Sequence, residues 1–496
     1  MSTDNAGPDH AQLVSWFLEW ACWDHHVHGK VDHRMCDRAA SRLLMQNPEI
    51  ARDSLYTAIL SGEIDDVRRI LAGRPEAARE PGGSREWTPL LYLCYARFSH
   101  RPTIDNAVEI ARMLLDLGAN PNDFYMAGNA RYSALTGVAG EGEQDSPRQP
   151  QAEELFQLLL ERGAEPFDIQ VLYNTHFSGD MLWWLESIYA HTAKTGRGTA
   201  WDDPNWMMLD MEPYGPGAHF LLNVAVEKDD LKLADWLLSH GASPNATSSH
   251  PKFKPRHTLY EHAVIEGLTD MAALLLRYGA IAKTPGLTGP QLFVAACFRL
   301  DHEQAREIAS EHPEYLQSPD AMFTAARKDR ADVVEFLLDL GVPIEVRDDH
   351  NTRALHHAAI ANAQRVARFL IERGAEIDPI ESRHDSPPIG WATHGDHAGM
   401  IGFLSTHSRD VWRLSFNGYV DRLSDVLSAE PDLAKLVDDN GITPLWWLPD
   451  DEAKAFDIVG LLLAHGADPS IKSKQGRVAA DWARKRGMLD VARRLG

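Results

Sequence analysis

The chain has 496 residues, 44% of them hydrophobic and 24% charged, and its 49 basic and 72 acidic residues give a formal net charge of −23 at pH 7. That length is too great for one compact globule unless the fold grows in one dimension, and the composition supplies ample core material. The negative field repels phosphate backbones and anionic headgroups, which argues against nucleic acid and membrane surfaces as general partners.

The N-terminus, MSTDNAGPDHAQLVSWFLEWACWD, has no basic stretch, and Glu19 interrupts its apolar run; no apolar run in the chain reaches membrane-spanning length. Four cysteines (Cys22, Cys36, Cys94, Cys297) lie scattered without CxxC spacing, which fits a reducing compartment and makes a cytoplasmic location the expectation. Leu13, Trp16, Phe17 and Trp20, then Ala39, Leu43 and Leu44, predict two amphipathic helices, so residues 1–52 read as a helical N-terminal cap. Inside it, WDHHVHGKVDHRMC (Trp23–Cys36) gathers Asp24, His25, His26, His28, Asp32, His33 and Cys36. His25 and His28 share a helix face and neutral imidazoles suit zinc, yet the spacing matches no metal motif and Gly29 interrupts the helix. The segment is read as a solvated or hydrogen-bonded part of the cap, and neither a metal nor a cofactor is expected.

From there one decapeptide recurs: LLDLGANPND at Leu114, LLLERGAEPF at Leu158, LLSHGASPNA at Leu237, LLLRYGAIAK at Leu274, LLDLGVPIEV at Leu337, LIERGAEIDP at Leu370 and LLLAHGADPS at Leu461. Its glycines (118, 163, 241, 279, 341, 374, 466) are 45, 78, 38, 62, 33 and 92 residues apart, a period of about 31–33 with larger spacings where something is inserted. Each unit reads as two short helices. An apolar run such as Val333–Leu338 makes the second helix, which ends at a left-handed glycine such as Gly341. Asn120-Pro121 or Asp468-Pro469 then turns the chain outward. Thr88-Pro89-Leu90 and Thr443-Pro444-Leu445 cap and start the next first helix. Four units stop at a proline instead, in QNPEIARD (46–53), AGRPEAAR (72–79), SEHPEYLQ (310–317) and SAEPDLAK (428–435).

RALHHAA, WTPLLYL, ITPLWWL, LLAHGADPS and LLDLGANPN resemble the ankyrin repeat. The resemblance implies an all-α solenoid of helix pairs with β-turn fingers, in about thirteen units over roughly Asp53–Gly496, several of them degenerate. It is weakest over Leu172–Tyr189, Gln291–Glu311 and Val411–Leu427. The organisation expected is a cap (1–52), units with helix–helix insertions (53–190), a long insertion (191–217), then further units ending in a C-terminal cap whose Arg and Lys face outward (218–496). Interaction with a protein partner is what the resemblance implies in general.

Departures from a repeat are where function concentrates. Two adjacent units are lengthened between their helices, by YARFSHRPTID and by AGEGEQDSPRQPQ, so a basic loop (Arg97, His100, Arg101) is expected beside an acidic one (Glu141, Glu143, Asp145). The long insertion carries Trp201, Trp206, Met207, Met208 and Tyr214, and serves either as a binding loop or as a plug whose tryptophans form a local core. LWWLPDDEAK adds about two residues and brings Trp446 and Trp447 toward the groove.

In register, the exposed positions of the first helices are Asn174, Asn223, Glu227, Lys228, Glu261, His262, Arg327, Lys328, His357, Trp391, His394, Trp446 and Trp447; with Trp201, Trp206 and Tyr214 they supply the candidate binding residues. The resemblance assigns His356 a structural bond to adjoining loops. The leading reading is a recognition scaffold that binds a protein through its concave groove, with no chemistry of its own. The alternative is an enzyme or small-molecule binder whose acid/base site is formed by the insertions of units two to four, from His176, Asp180, Glu143, Asp145 and Tyr125. His176 stands where the stack usually holds Ala, which motivates that alternative; the lack of any GxSxG, HExxH or phosphate-loop motif opposes it.

Overall fold

The computed structural model describes residues 8–24, 33–142, 146–177, 181–247, 257–283 and 286–496, with the backbone alone for His33, Arg34 and Pro213. Among the described residues the fold is all-α apart from one antiparallel hairpin, β1 (Phe124–Ala127) with β2 (Ala130–Ser133). The chain forms two compact units: Met1–Asp202 with Met208–Asp210 and Pro469–Gly496, and Asp203–Met207 with Met211–Asp468.

The first unit opens with α1 (His10–Ala21) and α2 (His33–Gln46). Four repeat pairs follow: α3 (Leu55–Ser61) with α4 (Ile64–Gly73), α5 (Pro89–Cys94) with α6 (Arg101–Asp116), α7 (Ala134–Ala139) with α8 (Ala152–Glu161), and α9 (Ile169–Thr175) with α10 (Met181–Lys194). The second unit continues with α11 (Gly217–Lys228) and α12 (Leu231–Ser239), α13 (Leu259–Ile265) and α14 (Thr269–Arg277), α15 (Gly289–Phe298) and α16 (His302–Glu311), and α17 (Asp320–Arg327) and α18 (Ala331–Leu340). Then come α19 (Ala354–Ile360) and α20 (Gln364–Glu372), α21 (Pro388–His394) and α22 (Ala398–Ser405), α23 (Val411–Phe416) and α24 (Val420–Ala429), and α25 (Glu452–Ala464), whose partner shrinks to the 3-10 turn Pro444–Trp446. The pair α26 (Ala479–Lys485) and α27 (Leu489–Leu495) returns to the first unit. Among the described residues these make thirteen repeat pairs, and the three weakest stretches of sequence are helix pairs like the rest.

Two kinds of turn write the period. All seven ruler glycines have φ between 87° and 98°, the left-handed region that ends a second helix without the Cβ clash of other residues. Where proline replaces glycine, it starts a 3-10 turn at its first position, as in Pro48–Arg52, Pro75–Arg79, Pro313–Gln317 and Pro431–Lys435. A second left-handed residue joins the two helices within a pair: Asp229, Asp329, Asn362 and Asp396 take it, as the residue types that tolerate this conformation best after glycine, and Leu300 takes it too.

Packing is between neighbours. In the second unit one apolar cluster runs without a break from Phe293 to Leu404, and Ala325, Ala358, Ala359 and Ala392 are fully buried where successive first helices approach. Burying each leucine of such a seam contributes about 1.5–3 kcal/mol.

The cap does more than cover the first repeat. Phe17 meets Phe98 edge-on at 5.6 Å, and Cys22 bridges to Ala96, so the first insertion is partly a strand-like contact with the cap. On the same unit the cap also receives the C-terminal pair. Trp20 donates to the Lys485 carbonyl (3.1 Å) and stands edge-on to Trp482 at 5.7 Å; Lys485 pairs with Glu19 at 2.8 Å. Arg42 donates to the Arg486 carbonyl and Gln46 to that of Gly487, where a Cβ would stand 2.9 Å from that of Arg42. The expected outward-facing C-terminal cations are corrected in part: Arg493 and Arg494 are exposed, but Arg486 is 1% exposed and Lys485 lies over the Trp20 ring, because both sit against the cap. Trp20→Ala is expected to destabilise the chain by about 3–5 kcal/mol. Hydrogen exchange should show lost protection in Ala479–Leu495 as well as in α1; unchanged exchange in the C-terminal pair would count against the contact.

Candidate functional site

The groove positions of the second unit gather at the C-terminal ends of its first helices. Asn223, expected to be exposed, is corrected to 5% exposed, because α11 is enclosed along Phe220–Val226; it donates to Glu227 (2.9 Å). On α13, Nε2 of His262 lies 3.4 Å from Glu266, whose other oxygen is 3.3 Å from Lys328 Nζ. Lys328 follows α17, two pairs on, so this ion pair reaches past the intervening α15 and the helix ends must converge. Arg327 donates to Thr324 (3.1 Å) and lies 3.4 Å from Nδ1 of His357. The His357 ring sits 4.3 Å from Phe323 and 5.7 Å from Trp391. The result is a strip of alternating carboxylate, cation, imidazole and indole.

Its electrostatics follow from crowding. Burial alone would raise the Glu266 carboxyl, but the hydrogen bonds and charges of His262 and Lys328 outweigh it and hold the group at about 2. Desolvation raises Glu227 against the opposing hydrogen bond from Asn223, and the solvent that still reaches this carboxylate moderates the effect. Burial likewise lowers Arg327.

The structure sorts the other sequence candidates. His262 is fully enclosed, so it braces the strip from below; the expected exposure is corrected, because its ring lies beneath the surface within 3.4 Å of Glu266. His357 and Trp391 are half-buried on the strip and His394 is exposed. Trp446 is half-buried, and Trp447 packs on Trp412 and Phe416 under the Arg413 guanidinium. Asn174 is corrected too: it is 1% exposed, donates to the Gly140 carbonyl and accepts the Gly142 amide, bolting down the second insertion. His356 is fully buried between Arg353 N and Ser386 O, and burial lowers it to about 4.

In the long insertion Trp201 is 5% exposed, donates to Thr192 and faces Phe167 and Tyr189, all within the first unit. Trp206, in the second unit, is fully buried against Trp236, whereas Tyr214 is 50% exposed. Both tryptophans therefore act as plugs.

The acid/base grouping does not assemble among the described residues. Glu143, Asp145 and Asp180 lie outside them, as do His25, His26, His28 and Asp32. His176 is corrected from the interior of the stack to the end of α9, where its ring meets Tyr173 and Phe177. Tyr125 is stacked between Trp87 and Tyr132 in a separate set of contacts. Arg97, expected in an open basic loop, is buried: it donates to the carbonyls of Cys94, Ala96 and Gly137 and to Ser146, because carbonyls in the last turn of α5 and α7, and just past α5, have no further helical turn to satisfy them. Burial lowers its guanidinium to about 10. Among the described residues no group of three or more His, Cys, Asp or Glu is placed to hold a metal, and no helix is long and apolar enough to cross a membrane. Glu266 was missed in the sequence although it stands four residues after His262, the spacing that puts two side chains on one helix face.

A family model described as ankyrin repeats (3 copies) matches residues 292–380, which are α15 through α20 and the finger after them. The chain carries ankyrin repeats. Among curated relatives, the palmitoyltransferase ZDHHC13 of Mus musculus is 31% identical over 83 residues, 17% of this chain and 13% of that protein. The B-cell lymphoma 3 protein homolog of Mus musculus is 25% identical over 240 residues, 48% of this chain and 42% of that protein. The chain thus spans less than half the length of these relatives. An ankyrin repeat domain from Acinetobacter baumannii, known from its crystal structure, is 24% identical, covers 36% of this chain and 97% of its own, and has a TM-score of 0.28. Ankyrin repeats are in general protein-interaction modules.

The low Glu266 value carries a pH signature. Its folded pKa of about 2 lies below the ordinary 4.5, so the stability it contributes, on the order of 3 kcal/mol, is complete above pH 4.5 and lost as pH falls toward 2. Glu266→Gln should therefore be less stable than the native chain at pH 7 and show a flatter loss of stability across that acid window; parallel denaturant titrations at each pH check both.

Proposed function

We propose that this chain is a recognition scaffold that binds a protein partner through the strip on the first helices of its second unit, in a reducing compartment such as the cytoplasm. The observation that supports this most is the convergence of Glu266, Arg327, Lys328 and His357 beside Trp391, a surface in which charge and aromatic area alternate over short distances. Such a surface selects a partner by sign and spacing more than by apolar area. The indole of Trp391 and the exposed His394 offer an anchor at one end of it. Among the described residues the four cysteines form no disulfide and all are buried, as suits a reducing setting.

The test is site-specific photocrosslinking of the full chain in a lysate, with the reactive group at His394 on the strip or at Glu372 on the exposed side of α20. Adducts at His394 are expected to fall about tenfold on Arg327→Glu, equivalent to about 1.4 kcal/mol of binding, with the melting temperature unchanged. Adducts forming equally at Glu372, or resisting the charge reversal, would contradict the proposal.

A further inference from the structure

The first unit contains a cleft of about 700 Å³ that shares no residue with the strip. It lies between α1, the finger turn before α5 and the strand β1. The turn is closed by an isolated bridge between Gly82 and Trp87, and it holds Glu86 at φ 52°. Trp87 then stacks on Tyr125 at 4.5 Å, and Tyr125 on Tyr132 at 5.4 Å, so an aromatic ladder crosses from one finger to the next.

Charge in the cleft is one-sided. Four carboxylates line it, Glu19, Asp24, Glu86 and Asp123, against a single cation, Arg85. That cation is already committed: Arg85 pairs with Asp24, donates to the carbonyls of Glu19 and Cys22, and stands over the Trp87 ring. The Asp123 carboxylate accepts the neutral Thr88 hydroxyl (2.9 Å), and among the described residues neither it nor the exposed Glu86 has an ion-pair partner. The Arg85 side chain is 8% exposed, and its Nε is buried with no acceptor among the described residues. Beside these groups β1 leaves Phe124 47% and Met126 53% exposed.

We infer that this cleft receives an arginine or lysine side chain presented by a peptide segment of a partner protein. Glu86 and Asp123 hold the cation, Phe124 and Met126 cover its apolar stem, and the rest of the cleft of about 700 Å³, more than one side chain fills, takes the backbone that presents it. A free amine would meet the carboxylates but leave most of that volume unfilled. Glu19 ties the cleft to the terminal contact, because Lys485 of the C-terminal pair now occupies it. Removing that internal cation leaves one more carboxylate for the ligand.

Calorimetric titration of the full chain with the blocked peptides acetyl-Gly-Arg-Gly-amide and acetyl-Gly-Lys-Gly-amide tests this, with the norleucine peptide and agmatine as controls. Both cationic peptides are expected to bind, more weakly as salt rises, and at least about tenfold more tightly than the norleucine peptide or agmatine. Glu86→Gln should weaken the arginine peptide about tenfold at unchanged melting temperature, Lys485→Met should tighten it, and Arg327→Glu on the strip should leave it as it is. Equal binding of the norleucine peptide, or no binding by any probe, overturns the inference. Agmatine binding as tightly as the arginine peptide overturns the assignment to a protein partner.

Discussion

Everything in this chain depends on one constraint: a pair of helices as short as seven and ten residues cannot enclose its own apolar face, so each must lean on the pair before and the pair after. The unbroken cluster from Phe293 to Leu404 is that dependence made visible, and the fully buried alanines of the first helices set how closely neighbours approach. The same need explains the behaviour of the ends. The N-terminal helices and the C-terminal pair cover one another through Trp20, Trp482 and the Glu19–Lys485 pair.

Buried polar groups do a second job, which is to fasten what the repeat does not specify. Arg97 and Asn174 satisfy carbonyls of the two lengthened helix–helix turns; His356 joins its own helix start to the next finger; His262 supports Glu266 from beneath. Each sits where backbone or charge would otherwise lie buried without a partner, a penalty of about 1–3 kcal/mol per group. The exposed side chains at the helix ends and finger tips carry less load of this kind, which leaves them available for the proposed recognition.

The sequence revealed the repeat because its strongest signals are local. A left-handed turn demands glycine, so the seven LLxxG glycines kept both their spacing and their conformation, and the four proline stops announce 3-10 turns for an equally local reason. The within-pair turn was less legible, since aspartate, asparagine and even Leu300 fill it and no single residue type marks the place. Degenerate pairs such as α9–α10 fold through contact with their neighbours, which no local pattern displays. For the same reason depth could not be read: Asn174 and His262 occupy groove positions in register, yet the insertion above one and the carboxylate beside the other draw them inside. The cleft was invisible because its walls, α1, the turn at Arg85 and β1, are far apart in the chain.

The central claim, that stability passes from pair to pair by contact alone, is tested most directly by residue-resolved hydrogen exchange on the full chain with a cavity placed in one pair. Leu337→Ala empties a fully buried position in α18. Protection should fall most in α17 and α18, less in α15–α16 and α19–α20, and hardly at all in α3 and α4. An equal loss of protection in every helix would show a single cooperative core and contradict the account.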